Sequence, residues 1–472
     1  MASIRSLRGL FSTKPLSNNF DEVAHLRRCL TATDLTMMGV GAIIGAGIFV
    51  LTGIAAATQA GPAVIFSYLL AGLACGLSAF AYAELASSVG GCGSAYGYAY
   101  ASLGELVAWL IGWDLLLEYG MDGATVSIGW SGYVNDALRA VGVNLPASLL
   151  TDPFHGGIIN LPAVLVIVTL ATILSVGVKE SIRFNKVIVY VKLAVIALFI
   201  GIGFFTFDIS KWSPFLPFGM QGIVNGAGLI FFAYIGFDAV STAAEEAINP
   251  KRDIPIGIIA SLLICTIVYV VFAGLLTGMM NYSDLNMTSP VAAALIHVGY
   301  RFAAEIISIG AIAGLTTVIL VMIYGASRVF LAMARDGLLP KYFVKIHDKS
   351  QTPRRLIWSL ATIMALIAGT IPISQVASLV NMGTLAAFVV VSLGVIVLRH
   401  TKPNMPRPFQ TPWSPLIPVL AVLMCVYLMS SLPLITWWCF GLWTIVGAVI
   451  YFSYSRRNSL LGKSSAAARS LQ

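Results

Sequence analysis

The chain has 472 residues, of which 58% are hydrophobic and only 10% are charged, and its mean hydropathy is +0.89. This composition excludes a soluble globular protein and indicates an all-α polytopic membrane protein. The net charge of +8 does not indicate nucleic-acid binding, because nearly all basic residues lie in the two tails, in the connections between apolar runs or near the ends of these runs. The six cysteines are scattered, and their spacing is typical of neither a metal site nor a disulfide framework.

Twelve apolar runs follow a polar, basic tail over residues 1–33, which does not have the form of a cleavable signal peptide. The third run exceeds the thickness of a bilayer, so we expect that span to tilt or to extend past the membrane. The predicted spans are 34–58, 62–86, 96–131, 158–178, 184–206, 219–246, 254–280, 303–334, 356–373, 375–398, 415–433 and 435–455.

The distribution of lysine and arginine predicts the orientation of these spans. On one side of the membrane lie 24 of the 28 basic residues, including those of the N-terminal tail and of the C-terminal tail over 456–472. The positive-inside rule therefore places both termini in the cytoplasm. Spans one to five (34–206) and six to ten (219–398) then form halves of opposite orientation, which is typical of the inverted repeats of secondary transporters. Two further helices occupy 415–455.

The first span contains an unusual run of glycines, GVGAIIGAGIF over residues 39–49. Glycine destabilises a helix interior by about 1 kcal/mol relative to alanine, and irregular backbone at membrane depth is tolerated only where protein or a cavity surrounds it. We therefore predict a break in the helix at Gly45, Ala46 and Gly47. The alternative is a small-residue seam for close helix packing, which the spacing of Gly41 and Gly45 also fits.

A second run, FFAYIGFD over residues 231–238, places glycine and a polar residue inside the first span of the second half. Paired interruptions at matching positions of two halves favour a substrate site made by two broken helices. Helix ends attract anions and freed carbonyls attract cations, so such a pair suits a small zwitterion. Phe232 is a candidate lid over the solute, whereas Tyr234 is as readily explained by packing. Asp238 either caps the second half-helix, the favoured interpretation, or faces the solute.

Ionisable residues inside the membrane are candidates for function. Lys192 stands about eight residues into the fifth predicted span, and burial disfavours the charged form of an amine, so this lysine can exchange a proton. The alternative is that its long stem reaches the membrane interface. In the third span Asp114, Glu118 and Asp122 are four residues apart and share one helical stripe. Glu118 is a candidate for the pocket or the coupling network, and structural pairing is the alternative.

Two polar segments, EEAINP at 245–250 and ARDGLLP at 334–340, follow the sixth and eighth spans. The default interpretation is a pair of solvated loops with turn residues, and a cytoplasmic gate is the alternative.

Seven motifs together resemble the amino acid–polyamine–organocation superfamily, in particular its cationic amino acid transporter-like branch, over residues 25–455. The resemblance implies the leucine-transporter fold, with five plus five inverted helices, here followed by two more. The count of twelve spans is similar to that of prokaryotic members, which implies a bacterial inner membrane protein. The motifs are GVGAIIGAGIFVLTG (39–53), AGPA (60–63), YAELAS (82–87), GSAYGYAY (93–100), GWDLLLEY (112–119), FFAYIGFDAVSTAAEEAINPKRDIPIGI (231–258) and SRVFLAMARDGLLP (327–340).

The resemblance also implies roles for individual residues. The substrate carboxylate would meet the backbone at Ala46 and Gly47, and Lys192 would occupy the position that sodium takes in other members. Met322 is bulky and apolar, which argues against arginine or lysine as the substrate. The other implied contacts are the carbonyls of Ile43, Phe232, Ala233 and Ile235 for the ammonium, and Glu118 and Asp238 in the side-chain pocket.

We therefore expect a secondary amino-acid transporter that imports its substrate by alternating access, with the proton as coupling ion and no cofactor or metal. The alternatives are a proton-independent exchanger, with Lys192 as a fixed cation, and an amino-acid-binding nutrient sensor. An enzyme is not expected, because the spans contain no nucleophile–base or metal constellation. The expected partners are the substrate and the bilayer, and the sequence leaves a small membrane subunit open.

Overall fold

The computed structural model describes residues 12–14, 28–91, 93–140, 142–287, 289–370 and 377–463, and the remaining parts of the predicted tails lie outside this description. Regular structure in these ranges is helical, apart from an isolated bridge between Leu30 and Ala247. Seven helical stretches among the described residues are long and apolar enough to cross a membrane, and two shorter apolar helices accompany them. The prediction of an all-α polytopic membrane protein is confirmed.

The helices are named here in chain order. They are α1 (Ala32–Ile43), α2 (Thr52–Ala55), α3 (Val64–Ser88), α4 (Ser94–Ser102), α5 (Glu105–Ala140), α6 (Leu161–Val176), α7 (Val178–Thr206), α8 (Gly219–Ile230), α9 (Pro250–Met279), α10 (Pro290–His297), α11 (Arg301–Arg335), α12 (Arg354–Thr370), α13 (Ala377–Thr401), α14 (Leu416–Ser430), α15 (Leu434–Ile450) and α16 (Arg456–Asn458).

The third predicted span differs from the observed helices. The sequence suggested one run over 96–131, whereas the chain forms a short helix, α4, and a long one, α5, that begins at Glu105. The division has a local cause, because Gly104 has a φ of +101° and its N–H bonds back to the carbonyl of Ala99. A glycine in this left-handed conformation ends a helix. The GSAYGYAY motif therefore lies in α4, outside the long helix.

The interior of the bundle is organised around α1, which α7, α9 and α11 contact. The two longest helices, α5 and α11, also pack along each other, and the indole of Trp130 donates a hydrogen bond to Thr316 across this contact at 2.9 Å. The helices after α13 lie at the periphery. α15 is fixed to α5 by Trp113 and Trp443, whose stacked rings lie 4.5 Å apart and which each donate to the backbone carbonyl of the other.

Both described ends of the chain contact one loop, which defines the terminal side of the bundle. The amine of Lys14 lies 2.5 Å from the carboxylate of Asp336, and the N–H of Leu460 donates to the carbonyl of the same residue at 3.1 Å. The two chain ends therefore lie on the same side.

On the terminal side, a fully buried ion pair joins α11 to the segment that precedes α9. The guanidinium of Arg328 bonds Glu246 at 2.8 and 3.0 Å, and the two side chains are 0% and 1% exposed. The hydroxyl of Tyr324 donates to the second carboxylate oxygen at 2.6 Å. Next to this pair, Arg335 bonds Glu245 at 2.8 Å. The interpretation of 245–246 as part of a solvated loop is therefore wrong, because these carboxylates are buried and paired.

We expect Glu246→Gln to destabilise the protein by about 3 kcal/mol, because it leaves the charge of Arg328 buried without a counter-charge. Thermal unfolding of the purified protein in detergent measures the effect. Glu245→Gln is the matched control, since its partner Arg335 is 17% exposed and water can stabilise the guanidinium. Equal losses of stability in the two variants would contradict the prediction.

Candidate functional site

The backbone of the first span breaks where the glycine run predicted. α1 ends at Ile43, Ile44 is extended, and the chain resumes at Gly47 with a π-helical turn over Gly47–Leu51. Such a break leaves carbonyl groups without their usual helical partners. The interpretation of this run as a packing seam alone is therefore wrong.

Lys192 binds the carbonyls on one side of this break. Its amine lies 2.8 Å from the oxygen of Ile44, 3.1 Å from that of Gly41 and 2.8 Å from the hydroxyl of Thr317 in α11. The side chain is fully buried, in the middle of α7, so the alternative that it reaches the interface is wrong. Among the described residues no carboxylate forms an ion pair with it. The ammonium is therefore held by backbone dipoles and one hydroxyl.

The predicted interruption after α8 is also present. Residues Phe231–Tyr234 form a 3-10 turn, Ile235 is extended, and Gly236 has a φ of +111° before a second 3-10 segment over Phe237–Ala243. A side chain at Gly236 would be strained in this left-handed conformation. The two breaks predicted from the sequence are thus both observed.

The two breaks lie directly against each other. A Cβ atom built on Gly47 would lie 2.2 Å from the Cβ of Ala233, so the absence of a side chain permits this approach. A Cβ on Gly236 would lie 2.9 Å from the Cβ of Ala42 and 3.1 Å from the Cε of Met322. The structure therefore brings together the predicted site residues of both broken helices, with Met322 beside the second break.

The hydroxyl of Tyr269, in α9, bridges the two breaks. It lies 2.7 Å from the carbonyl oxygen of Ile43 and 2.9 Å from that of Ala233, and the side chain is fully buried. A single hydroxyl proton is thus shared between one carbonyl of each broken helix. These are two of the carbonyls that the resemblance implied for a substrate ammonium.

The acidic stripe of α5 faces the interior of the bundle. Asp114, Glu118 and Asp122 are 3%, 1% and 2% exposed, so none of them faces lipid. Neither oxygen of Asp114 has a hydrogen-bond partner within the described part of the chain. A Cβ on Gly383 of α13 would lie 2.6 Å from the carboxylate of Asp114, so this glycine leaves room for it. Glu118 lies beside Thr384, which is also in α13, but the two side chains do not form a well-formed hydrogen bond.

Asp238 does not cap the segment that follows the second break, contrary to the favoured interpretation. Gly236 occupies the cap position there, and no side chain caps the segment. One oxygen of the Asp238 carboxylate accepts a hydrogen bond from the hydroxyl of Tyr119, the residue after Glu118. Asp238 therefore connects the segment after the second break to α5.

Phe232 lies in the 3-10 turn of the second break and is 7% exposed. The hydroxyl of Tyr234 donates to the carbonyl of Tyr68 at 2.9 Å, which ties this residue to α3. Gly45 approaches Val318 of α11, where a Cβ would lie 2.7 Å from a methyl group. Ala46 and Ile235 occupy the two breaks themselves.

Sequence reasoning missed three hydroxyl residues of this site. Tyr269 and Thr317 contact the carbonyls of the first break, and Tyr68 donates to the carbonyl of Gly47 at 3.2 Å. Each is a polar group within an apolar helix, which is the available signal. A hydroxyl in a membrane helix can also bond its own backbone, so its position in the sequence does not identify its partner.

Comparison with known proteins shows to which family this chain belongs. A family model described as amino acid permease matches residues 30–456. The chain belongs to the amino acid permease family. It is 49% identical to the methylthioribose transporter of Bacillus subtilis, over 97% of this chain and 100% of the relative. It is 46% identical to the branched-chain amino acid permease BcaP of the same organism, over 93% of this chain and 95% of the relative.

More distant relatives include the vacuolar cationic amino acid transporter 4 of Arabidopsis thaliana, which is 38% identical over 80% of this chain and 64% of the relative. The family and these relatives are transporters and not enzymes. The permease is therefore a multi-pass membrane transporter, as the resemblance implied.

We expect Gly47→Ala to weaken substrate binding by about tenfold or more, because the added methyl group would overlap Ala233 and force the two breaks apart. Binding to the purified protein and uptake into liposomes both measure this loss. Gly76→Ala in α3 is the control, since a Cβ there meets nothing within 4 Å. Unchanged binding and uptake in Gly47→Ala would contradict the close approach.

We expect Tyr269→Phe to lower the rate of substrate exchange by about tenfold, because the carbonyls of Ile43 and Ala233 lose their shared donor while the ring remains. Exchange of labelled substrate across liposomes measures the rate. Tyr282→Phe is the control, since that ring packs on Phe218 away from the breaks. Equal rates in the two variants would contradict a role for the bridging hydroxyl.

Proposed function

We propose that this permease is a secondary active amino-acid transporter that imports its substrate with protons by alternating access. The observation that carries the proposal is the direct apposition of two helix breaks, which concentrates freed backbone groups at one place inside the bundle. The N–H groups of Ala46 and Gly47 lie where the helix resumes and suit a carboxylate, and carbonyls at Ile43, Phe232, Ala233 and Ile235 suit an ammonium. The zwitterionic part common to amino acids fits such a pair.

The side chain of the substrate would lie between the breaks and α5, next to Met322, Glu118 and Asp238. Phe232 would close over it from the second break. Met322 presents an apolar surface, and its Cε would lie 3.1 Å from a Cβ at Gly236, so a neutral amino acid is favoured over arginine or lysine. The name of the relative BcaP, a branched-chain amino acid permease, supports a neutral substrate.

Lys192 is the proposed site of proton coupling. As an ammonium it donates to Gly41, Ile44 and Thr317 and so connects α7, α1 and α11. A neutral amine would have only two N–H groups to donate to these three oxygens and would lose the charge–dipole attraction. Protonation would therefore favour the state in which α1 is held against α7 and α11. A ligand, here the proton, shifts an equilibrium between two states only if it binds one of them more strongly.

The proposed architecture is twelve membrane helices in the leucine-transporter fold, with two inverted repeats of five and two more helices. The terminal side would face the cytoplasm of a bacterium, because the basic residues concentrate there. Residues 34–206, 219–398 and 415–455 would then be the two repeats and the additional pair. Glu245 and Glu246, paired with α11, would help to close the cytoplasmic exit.

Uptake into liposomes tests this proposal. The purified protein is supplied with labelled alanine, leucine or arginine, with and without an inward proton gradient. We expect the gradient to drive accumulation of a neutral amino acid, and Lys192→Ala to abolish this accumulation while substrate binding survives. Lys186→Ala is the matched control, since this lysine lies six residues earlier in α7 and pairs with Asp34 at the helix end.

Uptake that does not depend on the proton gradient and that requires amino acid inside the liposomes would contradict proton coupling and favour an exchanger. Binding without measurable uptake would favour a nutrient sensor. Accumulation by Lys192→Ala equal to that of Lys186→Ala would show that the buried amine does not couple transport to protons.

A second candidate substrate is a thioether sugar, because the relative at 49% identity is named a methylthioribose transporter. Asp114 and Glu118 provide buried oxygens that could accept hydrogen bonds from sugar hydroxyls. Competition separates the candidates. Unlabelled methylthioribose should displace bound labelled leucine only if the pocket accepts the sugar. Glu118→Gln should then weaken binding of the sugar more than binding of the amino acid.

A further inference from the structure

The short helix α4 lies on the terminal side and contacts the chain just after the second break. The hydroxyls of Ser94, its first residue, and Ser241 are 2.8 Å apart, and both side chains are fully buried. Ser241 belongs to the segment Phe237–Ala243, which begins at the left-handed Gly236. If the site opens to the terminal side, this segment must separate from α4.

Two tyrosines of α4, Tyr96 near its start and Tyr100 near its end, bind two acidic residues. Tyr96 donates its hydroxyl to the carboxylate of Asp336 at 2.7 Å, and Tyr100 donates to that of Glu105 at 2.8 Å. Glu105 is 4% exposed and stands in the first turn of α5. A negative charge in that position is favoured by the helix dipole.

Residues 451–463, named here the C-terminal strap, provide further contacts of these acidic residues. The carboxylate of Glu105 also accepts hydrogen bonds from Tyr451, at 2.9 Å, and from Ser459. Within the described residues, all three hydrogen-bond donors to this carboxylate are therefore hydroxyls, two of them from the strap. Hydrogen bonds to a charged acceptor are stronger than those between neutral groups.

The strap also lies against the loop that follows α11. The hydroxyl of Ser455 donates to the carbonyl of Leu338 at 2.8 Å, and the N–H of Leu460 donates to that of Asp336 at 3.1 Å. Gly337, with a φ of +80°, permits this approach, since a Cβ there would lie 2.6 Å from the carbonyl oxygen of Asn458.

Lys14, near the N-terminus, contacts the same region. Its amine binds the carboxylate of Asp336, and its backbone N–H donates to the carbonyl of Tyr100.

We propose that the C-terminal strap holds α4 against the segment Phe237–Ala243 and thereby restrains opening of the site to the terminal side. The contacts run from Ser459 and Tyr451 through Glu105 and Tyr100 to α4, and from its other end to the segment that must move. The inference rests on the proposed function only in that the site opens to this side. Release of the strap would act as a regulatory step that leaves the substrate contacts unchanged.

Thiol labelling tests the proposal without any transport measurement, so its failure is distinct from a failure of the proposed function. The reporter is Ala244→Cys, a buried position at the end of the moving segment, in a background without the native cysteines. We expect Ser459→Ala and Tyr451→Phe each to raise the labelling rate by a small water-soluble thiol reagent by roughly threefold to tenfold. Tyr454→Phe is the matched control, since Tyr454 is 40% exposed on the same turn.

A double-mutant cycle tests whether the strap acts through α4. By itself, Ser94→Ala should raise the labelling rate. Combined with Ser459→Ala, it should raise the rate little further, because both changes disrupt one connected path. Thermal unfolding and size-exclusion profiles confirm that each variant is folded, and a chain ending at Asn458 should label at least as fast as Ser459→Ala. Unchanged or slower labelling in the strap variants, or fully additive effects with Ser94→Ala, would overturn the proposal.

Discussion

The structure depends on one constraint, which is that backbone groups freed by a helix break inside a membrane must find partners within the protein. An unpaired carbonyl in an apolar environment costs several kcal/mol. Each carbonyl exposed by the end of α1 is therefore an attachment point for another helix. Lys192 and Thr317 bind on one side of the break, and Tyr269 binds on the other. The break thus determines which helices pack around α1.

The same requirement connects the proposed substrate site to the proposed coupling site. The carbonyls of Gly41 and Ile44 face the amine of Lys192, whereas the neighbouring carbonyl of Ile43 faces Tyr269 and the second break. The four residues 41–44, at the end of α1, would therefore serve both proposed sites within one short segment. A shift of this segment toward either face must lengthen bonds on the other, which provides a direct physical route for coupling.

The features that could be predicted from the sequence are those that depend on composition and on residue types whose burial in a membrane costs free energy. Glycine inside an apolar run located both breaks, and the presence of Lys192 and Glu118 in spans identified buried ionisable groups. What it did not predict depends on contacts between distant helices. The hydroxyl of Tyr269 bonds a carbonyl 226 residues away, and the carboxylate of Glu246 is buried by an arginine 82 residues away. Local patterns contain no information about such partners, so Glu246 was interpreted as part of a solvated loop.

Tyr269 also bears on how a substrate would change this structure. Its hydroxyl occupies the carbonyls of Ile43 and Ala233, which an ammonium would otherwise reach. An ammonium carries three donors and a full charge, so it satisfies two carbonyls better than one shared hydroxyl does. Binding would then free the hydroxyl to donate to one carbonyl or to the substrate. In the proposed mechanism the tyrosine would therefore hold the two breaks together and keep these carbonyls paired until the substrate ammonium replaces it.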